Sequence, residues 1–183
     1  MKNLEHTQKT LEKFRDYVIQ QSRSNLTKDG KNVSKQLYNE IKGNVKVAKN
    51  SFELNFDMPM YGQFQDKGVK GKFKTAKAPK SPFRFGTGSG VKGGLTKGIE
   101  KWVQTKGIQF RQKDGKGVKG QFLSYKNTAF LISRSIYTTG LRPSMFFTKP
   151  FEQGYKKYID EDLINQFALD VEDLIDYSLK DIK

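Results

Sequence analysis

The sequence contains no cysteine, one histidine and one tryptophan among 183 residues. Without cysteine there is no disulfide framework, thiol nucleophile, zinc–thiolate site or iron–sulfur cluster. The lone His6 cannot by itself build a histidine metal centre, so neither metal ion nor cofactor is expected. Negative charge is scarce, with 19 acidic residues against 34 lysines and arginines and a net charge of +15. Long apolar runs are also missing: no stretch approaches the roughly 18 residues of a membrane span. The opening MKNLEHTQKTLEKFRDY alternates charged and apolar residues where a signal peptide needs an unbroken apolar stretch. The expectation is a protein made in a cytoplasm-like compartment, without membrane contact. The sequons Asn25-Leu-Thr27 and Asn32-Val-Ser34 then carry no glycan.

What is present is aromatic and basic. Aromatics make up 13% of the chain, more than disordered sequences carry, so a real core is expected. The length suits one domain spanning residues 1–183. Leu4, Leu11, Phe14 and Val18 recur at helical spacing and predict an amphipathic helix over residues 3–22. Ser22–Gly30 reads as a polar breaker, and Val33, Leu37 and Ile41 as a short second helix ended by Gly43. Val45-Lys-Val47 and Phe52-Glu-Leu-Asn-Phe56 alternate at the strand period. They predict a hairpin with Phe52, Leu54 and Phe56 on one side.

From about residue 66 to 94 glycine and lysine dominate and apolar periodicity disappears, which predicts an extended basic arm. Leu95, Ile99, Trp102 and Val103 then mark an amphipathic helix closed by Gly107. Residues 108–123 read as a projecting hairpin, with legs at Ile108–Phe110 and Gln121–Leu123 and a turn at Asp114-Gly115. Ser124 is placed to cap a helix carrying Ala129, Ile132 and Ile136 and ended by Gly140. Pro143 and Pro150 frame Phe146 and Phe147 and predict an extended path. Leu163, Phe167, Val171, Leu174 and Ile175 predict an acidic helix over residues 160–180. Asp160, Glu161 and Asp162 would sit at its positive N-terminal end. The predicted class is α+β: a small antiparallel sheet packed by N- and C-terminal helices, with long Gly/Lys-rich loops.

Charge divides the chain. Residues 66–126 carry 16 basic against three acidic side chains, whereas residues 159–183 carry eight acids against Lys180 and Lys183. The tetrapeptide Gly-Val-Lys-Gly occurs three times, at residues 68–71, 90–93 and 117–120. Glycine permits positive φ and close backbone approach, and lysine offers a mobile ammonium to anions; a set of solvated turns would use the same residues. Residues 86–94, Gly-Thr-Gly-Ser-Gly-Val-Lys-Gly-Gly, fail as a phosphate loop. Val91 stands where the second glycine belongs, and Gly93 where Ser or Thr must reach magnesium. The stretch Lys72–Phe85 interleaves cations and rings as a nucleic-acid groove does, without a helix-turn-helix, zinc-finger or ribonucleoprotein signature. Glu53, Asp57, Asp66 and Glu100 form no close polar cluster, and Ser124 has no base in a familiar arrangement, so no catalytic residue is expected.

Two segments carry a family resemblance. After the first helix and hairpin comes Met58-Pro-Met-Tyr61-Gly62-Gln-Phe64-Gln-Asp66-Lys-Gly68; before the closing helix comes Arg142-Pro143-Ser-Met-Phe146-Phe147-Thr-Lys-Pro150-Phe151. In this order they resemble the tail-completion, or head–tail joining, proteins of tailed bacteriophages. There a strand enters a tyrosine-containing turn, and a later Arg-Pro-x-x-Phe-x-x-Pro-Phe element returns the chain to the sheet. Gly68, which closes the turn begun by Tyr61 and Phe64, comes later than in the compact pattern, and the basic excursion is atypical. The resemblance implies a non-enzymatic virion subunit in a homo-oligomeric ring at the head–tail connector or upper tail. Its neighbours would be connector, portal or tail proteins, with weak non-specific DNA contact in the channel. The alternative is a non-specific DNA-binding accessory protein. The expected contact residues are Tyr61, Phe64, Lys67, Phe146 and Phe147 from these segments. From the basic stretches they are Lys70, Lys72, Phe73, Phe83, Phe85, Lys92, Lys116, Lys119 and Phe122.

Overall fold

The computed structural model describes residues 4–30, 35–48, 51–88, 93–113 and 119–180. Its helices and three two-stranded antiparallel sheets make an α+β protein, the class expected. The chain divides into two compact units, residues 1–62 with 145–183, and residues 63–144. The expectation of one domain over 1–183 drew no such division.

In the first unit, helix α1 (Glu5–Lys28) buries Leu11, Phe14, Val18, Ser22 and Leu26 along one stripe. The breaker expected from Ser22 onward is therefore helical. Ser22 and Leu26 are both fully buried, and that packing outweighs the weak propensity of Ser, Asn and Thr, a few tenths of a kcal/mol each. Helix α2 (Gln36–Glu40) ends at Ile41, before the glycine expected to stop it. Leu26, Leu37, Ile41 and Phe146 form the core cluster, with Ile19, Met58 and Phe147 packed on it.

Strands β1 (Lys42–Ala48) and β2 (Ser51–Asp57) form the expected hairpin, in register from Lys42↔Asp57 to Ala48↔Ser51. Phe52, Leu54 and Phe56 alternate inward against exposed Ser51, Glu53, Asn55 and Asp57. Phe56 joins a ring cluster with Phe14 at 6.1 Å and Phe147 at 5.5 Å, and Phe14 lies 5.5 Å from Phe151.

Helix α6 (Thr148–Gly154), a π-helical segment (Tyr155–Leu163) and helix α7 (Ile164–Lys180) follow one another without a break. This corrects two expectations. Pro150 does not prolong an extended path; it lies in the first turn of α6, where a missing N–H costs nothing. Asp160, Glu161 and Asp162 stand inside the π segment, so no helix N-terminus is there for their charge to favour.

The end that receives a carboxylate is that of α1. Leu4 provides no side-chain cap, and Asp170 of α7 supplies one from a distant part of the chain. The N–H groups of His6 and Thr7 donate to its two oxygens at 3.0 and 2.8 Å, and the Thr7 hydroxyl donates at 2.7 Å. Burial alone would raise the Asp170 pKa. The Thr7 hydroxyl, the Thr7 and His6 N–H donors and the nearby His6 side chain together outweigh it and hold the carboxyl below the usual value.

The second unit is entered through helix α3 (Met60–Lys67), which the sequence reading did not contain. Strand β3 (Val69–Lys70) pairs with β6 (Gly140–Leu141), and the Ser144 N–H donates to the Gln65 carbonyl at 3.0 Å. Helix α4 (Gly94–Lys106) ends at Gly107 in the left-handed conformation, and α5 (Tyr125–Thr139) starts at Ser124, whose side chain accepts from the Asn127 N–H. Both boundaries agree with the sequence reading. The two helices pack together around fully buried Val103 and Ala129. Strands β4 (Arg111–Lys113) and β5 (Lys119–Phe122) form the second hairpin, one leg starting later than Ile108–Phe110.

Candidate interaction surface

Residues 69–88 were expected as part of an extended arm, but the backbone ties them to the C-terminal end of α5. The Lys72 N–H donates to the Tyr137 carbonyl at 2.9 Å, and the N–H groups of Phe73 and Lys74 share the Thr138 carbonyl at 3.3 and 3.1 Å. Lys70 donates to the Phe83 carbonyl and accepts from the Phe85 N–H, which closes the segment on itself. The Ser81 hydroxyl, buried, donates to the Gly68 carbonyl at 2.7 Å. Hydrogen-bond pairing, not apolar periodicity, orders this stretch, which is why a hydropathy pattern misses it.

The first Gly-Val-Lys-Gly copy shows what its glycines do. Gly68 sits at φ +69, where a Cβ would come within 2.6 Å of the Leu141 carbonyl oxygen. A Cβ on Gly71 would meet the backbone of Thr138 and Thr139. In the third copy, a Cβ on Gly120 would lie 2.7 Å from the Gln112 carbonyl across the hairpin. Both copies use glycine for close backbone approach. The second copy lies outside the described residues apart from Gly93.

The anchored backbone displays a basic, ring-bearing face. The Lys72 ammonium lies 5.5 Å from the Phe73 ring centre and 5.8 Å from that of Tyr137, and Phe73 is 72% exposed. Phe85 packs on Tyr137 at 5.8 Å, and Phe64 meets Phe83 edge-on at 4.7 Å. The Arg84 guanidinium donates to the Lys72 carbonyl at 3.0 Å, and Lys77 reaches the Thr139 hydroxyl at 2.8 Å. On the second hairpin the Arg111 guanidinium lies 4.2 Å from the Phe122 ring centre, and Phe122 is largely exposed. Cations over exposed rings present an amphipathic surface suited to a charged macromolecule.

Of the expected contact residues, Lys70, Lys72, Phe73, Phe83 and Phe85 are brought together on this segment, with Phe64 behind it and Lys67 exposed at the end of α3. Lys92 and Lys116 lie outside the described residues, and Lys119 begins β5. Phe146 must be corrected. It is 1% exposed at the centre of the first unit's core, so it holds that unit together and presents nothing to a neighbour. Phe147 is half-buried against Phe56 and Phe151. Tyr61 is 40% exposed; partial burial, then the Glu40 carboxylate, push its phenol above the ordinary value, so it stays a neutral hydroxyl at physiological pH.

The sequence reading missed Tyr137, Arg111 and the outer face of α5. Assigning Ala129, Ile132 and Ile136 to the inner face of that helix already puts Phe130 and Arg134 on another, a signal that was available. Helical spacing placed Phe167, Val171 and Ile175 on one face of α7, and they are 49%, 37% and 54% exposed. Helical spacing identifies an apolar face; it does not say what covers it. Among the described residues, no group of three or more His, Asp or Glu side chains is placed to hold a metal ion, and no helix is long and apolar enough to cross a membrane. No family model, curated protein or solved structure matches the chain.

Proposed function

We propose that the chain is a structural virion protein, one subunit of a ring at the head–tail connector or upper tail of a tailed bacteriophage. In this reading it joins portal or neck to tail and surrounds the DNA channel. The observation that carries the proposal is the amount of apolar surface left open beside charge of opposite sign. The unit 63–144 exposes Phe73, Phe110, Phe122 and Phe130 among lysines and arginines, and α7 exposes Ile164, Phe167 and Ile175 among acids. Large rings left in water mark a surface completed by association. The ordered motifs around Tyr61 and around Phe146–Phe151, which resemble head–tail joining proteins, supply the location.

The chain's role in this reading is contact, not catalysis: with copies of itself, and with connector, portal or tail neighbours. The test is an electron cryo-microscopy map of particles of the phage that encodes it. A ring of this chain beneath the portal is the expected result; particles that lack the chain overturn the proposal.

Lys72 over the Phe73 and Tyr137 rings favours a second reading, a DNA-binding accessory protein. It makes a different demand. Binding driven by phosphate contacts loses about three to five orders of magnitude in affinity between 50 and 200 mM salt, whereas assembly with an apolar component persists.

A further inference from the structure

Helix α7 carries an apolar stripe that its own unit leaves open. Ile164, Phe167, Val171, Ile175 and Leu179 recur at three- and four-residue steps, with Ile164, Ile175 and Leu179 each more than half exposed. Glu172 and Asp176, both exposed, edge the stripe. Beside it runs an open groove of about 560 Å³ lined by Leu4, Phe52, Phe167 and Leu174. The opposite edge of the helix is occupied, since Asp170 there caps α1.

Helix α5 carries a counterpart of opposite charge. Lys126, Phe130 and Arg134 follow one another at four-residue steps on its outer face, beside Leu131. Phe130 is 56% and Leu131 43% exposed, and both cations are exposed. Each face alone is poorly suited to itself. Two α7 stripes laid together bring Glu172 and Asp176 against their equivalents, and two α5 faces bring Lys126 and Arg134 against theirs. Stripe against face pairs apolar with apolar and acid with base.

We infer that α7 of one copy docks on the outer face of α5 of a second copy, with Phe130 and Leu131 against the Val171–Ile175 stripe and Lys126 and Arg134 beside Glu172 and Asp176. Each chain brings both halves of the contact, so no other protein is needed to complete it. The contact is heterologous: it joins copies head to tail, and the rotation it imposes decides whether they close. The inference names the subunit contact for the ring proposed above and rests on that reading.

The test measures mass by light scattering for the full chain at concentrations up to about 100 μM, which reveals contacts of micromolar strength. Wild type is expected to assemble. The variants Glu172→Lys/Asp176→Lys and Lys126→Glu/Arg134→Glu are each expected to stay monomeric where wild type is assembled. An equimolar mixture of the two should recover the assembly, because each then meets a complementary face. Independently, wild type mixed from heavy- and light-isotope preparations and treated with a zero-length amine–carboxyl crosslinker should join Lys126 to Glu172 or Asp176 between copies of different mass. This arm needs no variant to fold. A wild type monomeric throughout, reversals that assemble like wild type, a mixture of folded variants that stays monomeric, or crosslinks confined to copies of one mass each overturn the contact. If the copies join through α5 and α7 but particles lack the protein, the ring reading alone fails; if a particle ring meets through other faces, the contact alone fails.

Discussion

Asp170 is the residue whose role is least visible in the sequence. It lies among the acids of the tail and is 3% exposed, donating no charge to a surface but accepting the free N–H groups at the start of α1. Removing it by Asp170→Ala leaves those donors buried and unpaired, a loss of about 2 kcal/mol, measurable as a shift in the urea midpoint at pH 7. The pH dependence has a definite sign. The folded-state pKa is depressed, so the stabilisation is complete above the unfolded carboxyl value of about 4 and fades as pH falls through the lower folded value. In Asp170→Asn that portion of the acid limb should flatten when melts at pH 7 and pH 3 are compared. Phe146 is a residue of the opposite kind, a ring in the centre of a core. Phe146→Ala should cost about 3–5 kcal/mol by thermal or chemical melts, more than an exposed contact ring would show.

At the scale of the element, glycines separate space from backbone conformation. Gly154 lets α6 cross α1, because a Cβ there would lie 2.8 Å from Tyr17 Cδ1 and 2.9 Å from Phe14 Cε2. Gly154→Ala should lower stability by about 1–3 kcal/mol through overpacking. Gly88, at φ +82 with nothing within 4 Å, is the control: alanine there meets only backbone strain of about 1 kcal/mol. A ranking with Gly88→Ala the more damaging in thermal melts would contradict this packing. Helix limits with a local chemical cause were readable in advance. Ser124 supplies a hydroxyl at an N-terminus, and Gly107 and Gly140 supply the positive φ at which α4 and α5 stop. The end of α1 was not readable, because Leu26 is held in the helix by packing on Leu37, Ile41 and Phe146, residues that no local pattern contains. Nor was β3, whose two residues are a strand only because Gly140 and Leu141 pair with them.

For the whole molecule, the second unit is an insertion whose two ends meet. The Ser144 N–H reaches the Gln65 carbonyl at 3.0 Å and Val69 pairs with Leu141, so the chain enters and leaves residues 63–144 at one place. A segment with adjoining ends and its own buried side chains meets the conditions for folding alone. The excised fragment 63–144 should therefore show a cooperative thermal transition by circular dichroism; a featureless melt would show that it depends on the flanking halves.

Some of this protein was determined by its sequence alone. The α+β class, the first hairpin, α4 and α5 follow from the periods at which apolar residues recur and from the caps beside them, both of which are local. The division of charge into a basic middle and an acidic tail is likewise written in the order of residues. Tertiary structure decided which apolar faces are covered. It buried Phe146 and left Phe130 and Ile175 in water, tied residues 72–74 of the expected arm to α5, and gave Asp170 a helix end to cap. Burial and long-range hydrogen bonding depend on which surfaces meet, and residues far apart along the chain settle that together.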